Sequence, residues 1–422
     1  MTDHSPAATV AADEMSPRPR RGRRLRLVDA IRHGNSLVLT LLALLCALLV
    51  GAIMIVIADP PTRTAMGYFF SAPGDTFTRG WHAISAGYVA LFEGSVFNPD
   101  SLYSNGGTPI FGPISNTLLN AAPLILGGLA VGVAFRAGLF NIGVQGQLIM
   151  GAICAGYVGF AFHLPPVLHL VTALAAGVAG GAAWGGIAGW LKARTGAHEV
   201  ISTIMMNYLA LYLLNYLLGF SGFQAPGSNQ AISRTVHGTA RLPHLLGPDL
   251  GLHLGIVIAV LAAIGCWWLL TRSTLGFALR AVGANPSAAR TAGIRTDRCY
   301  VLVMLISGGL AGLVGCSQIL GTNNALTGDV DAGLGFDAIT VALLGQASPR
   351  GTVFAGLLFG AFRAGGVVMV ANTGVPADVV LVIEAVIVLF LAAPALIRAI
   401  FGLSESRGGG VGVAQLAKGW NA

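Results

Sequence analysis

Residues 117–162 read TLLNAAPLILGGLAVGVAFRAGLFNIGVQGQLIMGAICAGYVGFAF, with one charged side chain, Arg136. A helix that crosses a bilayer needs about 20 mostly apolar residues, and the runs 117–135 and 140–162 are that long. Where they join, residues 135–147 (FRAGLFNIGVQGQ) put three glycines, an Asn and two Gln in positions that a spanning helix gives to leucine. Two spans, broken at depth by uncharged polar groups, set the problem for the whole chain.

Composition agrees with the spanning reading. Of 422 residues, 55% are hydrophobic and 10% charged, against about 25% charged in soluble domains, and the mean hydropathy is +0.74. The net charge of +7 suits basic residues gathered at a membrane border. No basic stripe with interleaved aromatics points to nucleic acid. The cysteines Cys46, Cys154, Cys266, Cys299 and Cys316 form no CxxC pair and read as small hydrophobes.

The length rule predicts spans near 37–58, 117–135, 140–162, 167–190, 200–220, 252–270, 300–320, 352–371 and 378–398. A shorter apolar piece, 336–347, fits a short or re-entrant helix. The expected fold is an all-α polytopic bundle of about ten crossings. Residues 1–35 form a polar, basic N-terminus expected to be disordered and cytoplasmic, 36–400 the membrane domain and 401–422 a cytoplasmic tail. With the N-terminus inside, the inner connections hold Arg136; Lys192 and Arg194; Arg272, Arg280, Arg290, Arg295 and Arg298; Arg350; and Arg398 with Arg407. The outer segments 59–116 and 221–251 hold few Arg and no Lys. That asymmetry needs the short segment counted, because without it Arg350 changes sides.

Small residues crowd the spans, as in GVAGGAAWGGIAG (177–189) and GGLAGLVG (308–315). Inside lipid, close backbone approach at Gly and Ala is how helices pack. In the outer segment, TFTRGWHAISAGYVALFEG could form an amphipathic surface helix or a packing lid, and the lid is the simpler reading.

Broken helices occur at membrane depth where the backbone lines a cavity or is covered by protein. In transporters built from repeats, matching short or Gly-interrupted segments mark the solute path. GLGFDAITVALLGQASPRG (333–351) is the counterpart of FRAGLFNIGVQGQ, so an inverted repeat is expected. Neutral amides outnumber charges here, which suits a neutral polar solute better than protons or metal ions. Asn120, Asn141, Gln145, Gln147, Asn207 and Gln346 are the candidate path residues, and Phe140 and Tyr208 could stack a base, though packing is the simpler role for either. Asn141, Gln145 and Gln147 have a simpler alternative, helix-to-helix bonding, and it covers Asn120, Asn207, Asn215 and Gln318 as well. Arg363 and Glu384 are expected to pair between the last two long spans.

No catalytic motif is present. HEVIS (198–202) lacks the second His of HExxH, and neither Lys192 nor Lys418 closes a GxxxxGK[ST] loop. ATP, if used, is hydrolysed elsewhere. The inner loop 271–298, TRSTLGFALRAVGANPSAARTAGIRTDR, is longer than a plain connection. It offers a short helix in LGFALRAVG, a start signal at Asn285-Pro286 and a stop at Gly293. Two short helices at the membrane border make a docking surface; the alternative is a loop held to lipid headgroups by its arginines.

Three motifs in order, AFRAGLFNIGVQGQLIMGA, HEVISTIMMNYLALYLLNYLL and LRAVGANPSAARTAGI, resemble the inner-membrane permeases of bacterial ABC importers in the simple-sugar and nucleoside branch, from about residue 115 to 400. FNIGVQGQ and HEVISTIMMNY are most similar to nucleoside permeases. The resemblance implies a second, related permease chain, an ATPase that binds ATP and Mg, and an extracytoplasmic binding lipoprotein, with no cofactor in this chain. It also implies that residues 276–293 couple to the ATPase, through Gly276, Arg280, Gly283, Asn285, Pro286, Ala289, Arg290 and Gly293. Relatives often carry Glu where this chain has Gln145, so no charge-based role transfers there. The rival reading is an ion-coupled secondary transporter; a permease for simple sugars is the nearer alternative.

Overall fold

A computed structural model describes residues 36–99, 110–247, 250–392 and 394–401. The predicted N-terminal region 1–35, the tail from 402 onward and residues 100–109 of the outer segment lie outside them. Among the described residues, eight helices are long and apolar enough to cross a membrane. They are α1 (Ser36–Ala58), α4 (Gly112–Arg136), α5 (Val144–Ala161), α6 (Pro166–Thr195), α7 (Glu199–Leu218), α8 (Gly255–Arg272), α11 (Thr296–Ser317) and α13 (Pro349–Thr373). The short predicted segment is α12 (Leu334–Leu344), and the last predicted span, 378–398, holds α14 (Asp378–Ala392), which is not among those eight, and α15 (Pro394–Phe401). The remaining helices are α2 (Pro60–Met66), α3 (Pro73–Ser95), α9 (Thr274–Ala284) and α10 (Pro286–Thr291). Strand pairing is limited, among the described residues, to isolated bridges such as Gln224–Ser233.

The core is α4. Within its apolar window 83% is buried, against 22–28% for α1, α6, α7 and α8, so those four show most of their surface to whatever surrounds the chain. Around α4 stand α8, α11, α12 and α13. The most intimate pair is α6 with α11, and the predicted small residues make it. Gly177, Gly181, Gly185 and Gly189 form a stripe at four-residue spacing that faces Gly308, Gly312 and Met304. A Cβ on Gly181 would stand 2.7 Å from Gly312 Cα, and one on Gly189 would stand 2.9 Å from the carbonyl oxygen of Tyr300. The backbones themselves are in contact.

Most basic side chains stand at one end. Arg136 donates from Nε to the carbonyl of Ala347, 2.9 Å away, next to Arg350, and the loop between α8 and α11 lies beside it. Lys192 meets Glu199 at 2.9 Å across the α6–α7 turn, where Gly196 takes φ +69°. Residues 219–247 and 250–254 cover the opposite end, with backbone bonds from Val236 to Asn324 and from Leu242 to Leu320.

In the outer segment, α3 is a packed strut. Gly80 and Gly87 of α3 lie against Val56 and Ile55 of α1, and Gly94 against Gly365 and Val368 of α13. Trp81 and Phe92 remain exposed on the other side. The stretch therefore holds one helix that is packed on one side and exposed on the other.

Gly265, in the middle of α8, has open space where a Cβ would stand. Gly265→Ala should therefore stabilise by about 0.5–1 kcal/mol, the usual gain of Ala over Gly within a helix. Thermal unfolding in detergent reads it, and a lowered midpoint would contradict the open space.

Candidate functional site

The interruption after α4 forms because Ala137 to Gly143 leave the helix, with Gly138 at φ +75°. Helix ends leave backbone N–H groups without intrahelical partners, and lipid supplies no water to satisfy them. The amides do that work here. Asn141 Oδ1 accepts from the Gly143 N–H at 2.9 Å. Asn207, from α7, accepts from the Gly146 N–H at 2.8 Å and donates to the Ile142 carbonyl at 3.0 Å. Asn141 Nδ2 also donates to Gln147 Oε1 at 3.0 Å and to Ser307 Oγ of α11 at 2.7 Å. Gln147 Nε2 returns a bond to Asn141 Oδ1 at 3.1 Å, and Ser307 donates to the Ala130 carbonyl of α4 at 2.7 Å. Asn141 and Gln147 are at most 1% exposed and Asn207 6%. Of the two roles left open by the sequence for Asn141 and Gln147, the geometry supports helix-to-helix bonding, and Asn207 joins them.

The other path candidates lie elsewhere. Gln145 is half-buried, and its Nε2 donates to Asp331 Oδ2 at 2.9 Å. Its backbone lies against Gly335 at the start of α12. Nothing in the sequence marks Asp331, which falls in a short polar connection with no motif. Asn120 bonds within its own helix, to the Asn116 carbonyl at 2.8 Å. Gln346 sits in the turn before α13 at φ 53°, and its carbonyl accepts from Arg136 Nη2 at 3.4 Å. Thus α12 and the two sequence interruptions do lie together, with Gln145 and Asp331 at their junction.

Beside that junction, α7 packs only one face, chiefly on α5 and α6. The other face exposes Ile201, Met205, Tyr208, Tyr212 and Tyr216, with Phe336 exposed on α12. Phe140 does not join it; its ring stacks on Phe135 with centroids 4.8 Å apart.

One expected pair needs correction. Arg363 does not meet Glu384; its Nη2 and Nε contact Asp337 Oδ2 of α12 at 2.5 and 3.1 Å, and Nη2 also donates to the Ala332 carbonyl at 2.9 Å. The short helix brings its own carboxylate between the two longer ones. Glu384 is buried, and among the described residues its Oε1 has no partner.

The inner loop folds as two capped helices. Ser273 Oγ accepts from Gly276 N at 2.9 Å and starts α9. Asn285 Oδ1 accepts from Ala288 N at 3.0 Å and starts α10 at Pro286, and Gly293 ends the pair at φ +84°. Gly276 lies on the Leu269 carbonyl and Gly283 on the Arg136 carbonyl, so both are needed for seating. Ala289 is buried beneath α10. Arg280 points outward with Phe277. Arg290 is tied back, donating to Thr296 Oγ1 at 2.8 Å and facing Asp297.

Residues 113–392 match the family model of the permease component of branched-chain amino acid transport systems. The chain belongs to this permease family. The permease is 41% identical to the guanosine ABC transporter permease NupP of Bacillus subtilis (strain 168), over 78% of this chain and 91% of that one. It is 35% identical to the glucose ABC transporter permease TsgB13 of Haloferax volcanii, over 73% of this chain and 84% of that one. It is also 35% identical to the nucleoside ABC transporter permease NupB of Lactococcus lactis subsp. cremoris (strain MG1363), over 66% and 79%. No solved structure matches the chain. The permease is thus a multi-pass membrane protein and a transport subunit rather than an enzyme, within the simple-sugar and nucleoside branch that its motifs resemble.

Proposed function

We propose that the permease forms half of the translocation path of an ABC importer for nucleosides or closely similar neutral polar solutes. The 41% identity to a guanosine permease over 78% of the chain carries this reading. The exposed face of α7, with Tyr208 and the neighbouring Gln145–Asp331 pair, lines the path and stacks the base. A second, related permease faces it across that path. The Arg-rich end lies in the cytoplasm with both termini, the membrane is the bacterial inner membrane, and an extracytoplasmic lipoprotein delivers the solute. ATP and Mg are held by a separate ATPase, which rests on α9 and α10. ATP must favour one state of that assembly to drive the solute across.

The test is uptake of labelled guanosine into proteoliposomes holding the permease, its sister chain and the ATPase, with binding protein supplied. ATP-dependent uptake that resists an uncoupler supports the reading; uptake by this chain alone, abolished by the uncoupler, would replace it with an ion-coupled carrier. The 35% identity to a glucose permease favours a sugar as the second reading, which ATP-dependent uptake of labelled glucose that excess guanosine does not compete would reveal.

Arg280→Glu reverses a charge that, among the described residues, is in no ion pair, so folding should be untouched. ATPase co-purification and ATP-driven uptake should fall by on the order of tenfold or more, as for a reversed interface charge. Arg290→Glu also breaks the bond to Thr296 and is the less selective probe. Full co-purification with Arg280→Glu would remove the docking role.

A further inference from the structure

The geometry points to a binding site for one anionic phospholipid in the cleft between α8 and α13, at the Arg-rich end. Val260, Ala263, Ile264 and Trp267 lie on one side of α8. Across from them are Pro349, Arg350, Val353 and Phe354 in the first turns of α13, and the two walls enclose about 350 Å³. That is within the roughly 300–1,000 Å³ of ordinary ligand pockets. Both walls are spanning helices, so the cleft lies at hydrocarbon depth. It opens sideways, with Val260 43%, Ile264 55% and Phe354 74% exposed. An apolar cavity does not hold water; the material available at that depth is acyl chain.

The mouth of the cleft selects the headgroup. Arg350 places its guanidinium 5.7 Å from the centroid of the Trp267 ring, a cation–π contact that holds the charge at the rim. Among the described residues no carboxylate lies within ion-pair reach of Arg350. Arg272, in the last turn of α8, adds a second positive charge at the same end. Tryptophan suits the headgroup level, and basic pockets between spanning helices on the cytoplasmic side suit anionic headgroups. An apolar slot beneath an uncompensated cation fits a phosphatidylglycerol-like molecule better than a zwitterionic lipid or a peptide helix. The inference rests on the spanning reading of α8 and α13 and on the cytoplasmic orientation proposed above, not on the identity of the solute.

The experiment is native mass spectrometry of the full-length chain titrated with phosphatidylglycerol or phosphatidylcholine of identical acyl chains. One phosphatidylglycerol should be retained in preference. Arg350→Gln should weaken it about fivefold, the effect of one charge near an anionic surface, with little change for phosphatidylcholine. Val353→Trp, which fills the slot, should weaken both lipids, and Ala263→Leu serves if that variant does not fold. Equal binding of the two lipids, or no response to Arg350→Gln, overturns the site. A loss with Arg350→Gln but none with either filled slot reduces it to general surface attraction and also overturns it. A photo-crosslinker at position 353 in the assembled transporter should label lipid; a polypeptide adduct would give the cleft to a partner chain instead.

Discussion

Replacing Asn141 with Leu should lower the thermal unfolding midpoint sharply and reduce the permease in the membrane, rather than weaken its grip on solute. Leu keeps the bulk and removes both amide functions. It strands the Gly143 N–H and the Gln147 amide, which now bond to Asn141 in a site at most 1% exposed. Each stranded group costs about 1–3 kcal/mol. An ordinary interhelical bond in a membrane is worth only about 0.6 kcal/mol because displaced groups find new partners. Here the partners are fixed on a broken backbone between α4 and α5, so little relief is at hand. Tyr208→Ala is the contrast: the ring is exposed on α7, so stability should hold while uptake falls. If Asn141→Leu leaves the midpoint in place and alters solute affinity, the buried-network account of Asn141 fails.

Gly312→Val is the second large effect. The new Cβ would land on the Gly177 carbonyl and stand 3.2 Å from Val178 Cα. Overpacking a side-chain core typically costs about 1–3 kcal/mol, because neighbouring side chains yield. At this position the obstacle is main chain on an opposing helix, so α6 and α11 must separate along their length. Loss of folded permease from the membrane is expected, measured by monodisperse yield beside the Gly265→Ala control. A Gly312→Val protein with normal yield and midpoint would mean that the two helices are not held backbone to backbone.

The spans were legible because burial in lipid imposes one rule on every residue of a segment, and runs such as 117–135 obey it. So were α9 and α10: Asn285, Pro286 and Gly293 act through neighbours a few residues away, and the caps form where those signals stand. The amides were harder. Whether Asn141 lines a path or ties helices depends on Ser307, far along the chain, and on Asn207 from α7, which arrive only through tertiary packing. Arg363 shows the same limit. Its charge demanded a partner, but the choice of Asp337 over Glu384 follows from where the short α12 inserts. Asp331 gave no local signal, and its bond to Gln145 exists only because the two interruptions fold against each other.

Interlocked main chains cannot slide, so the glycine ladder between α6 and α11 makes those helices a fixed hull. Whatever motion alternates access must then be taken up by parts with looser attachment, and α7, seated on one side only, is the natural paddle. Spin-label pairs across the hull should keep one distance through the ATP cycle, whereas pairs from α7 to α12 should show two.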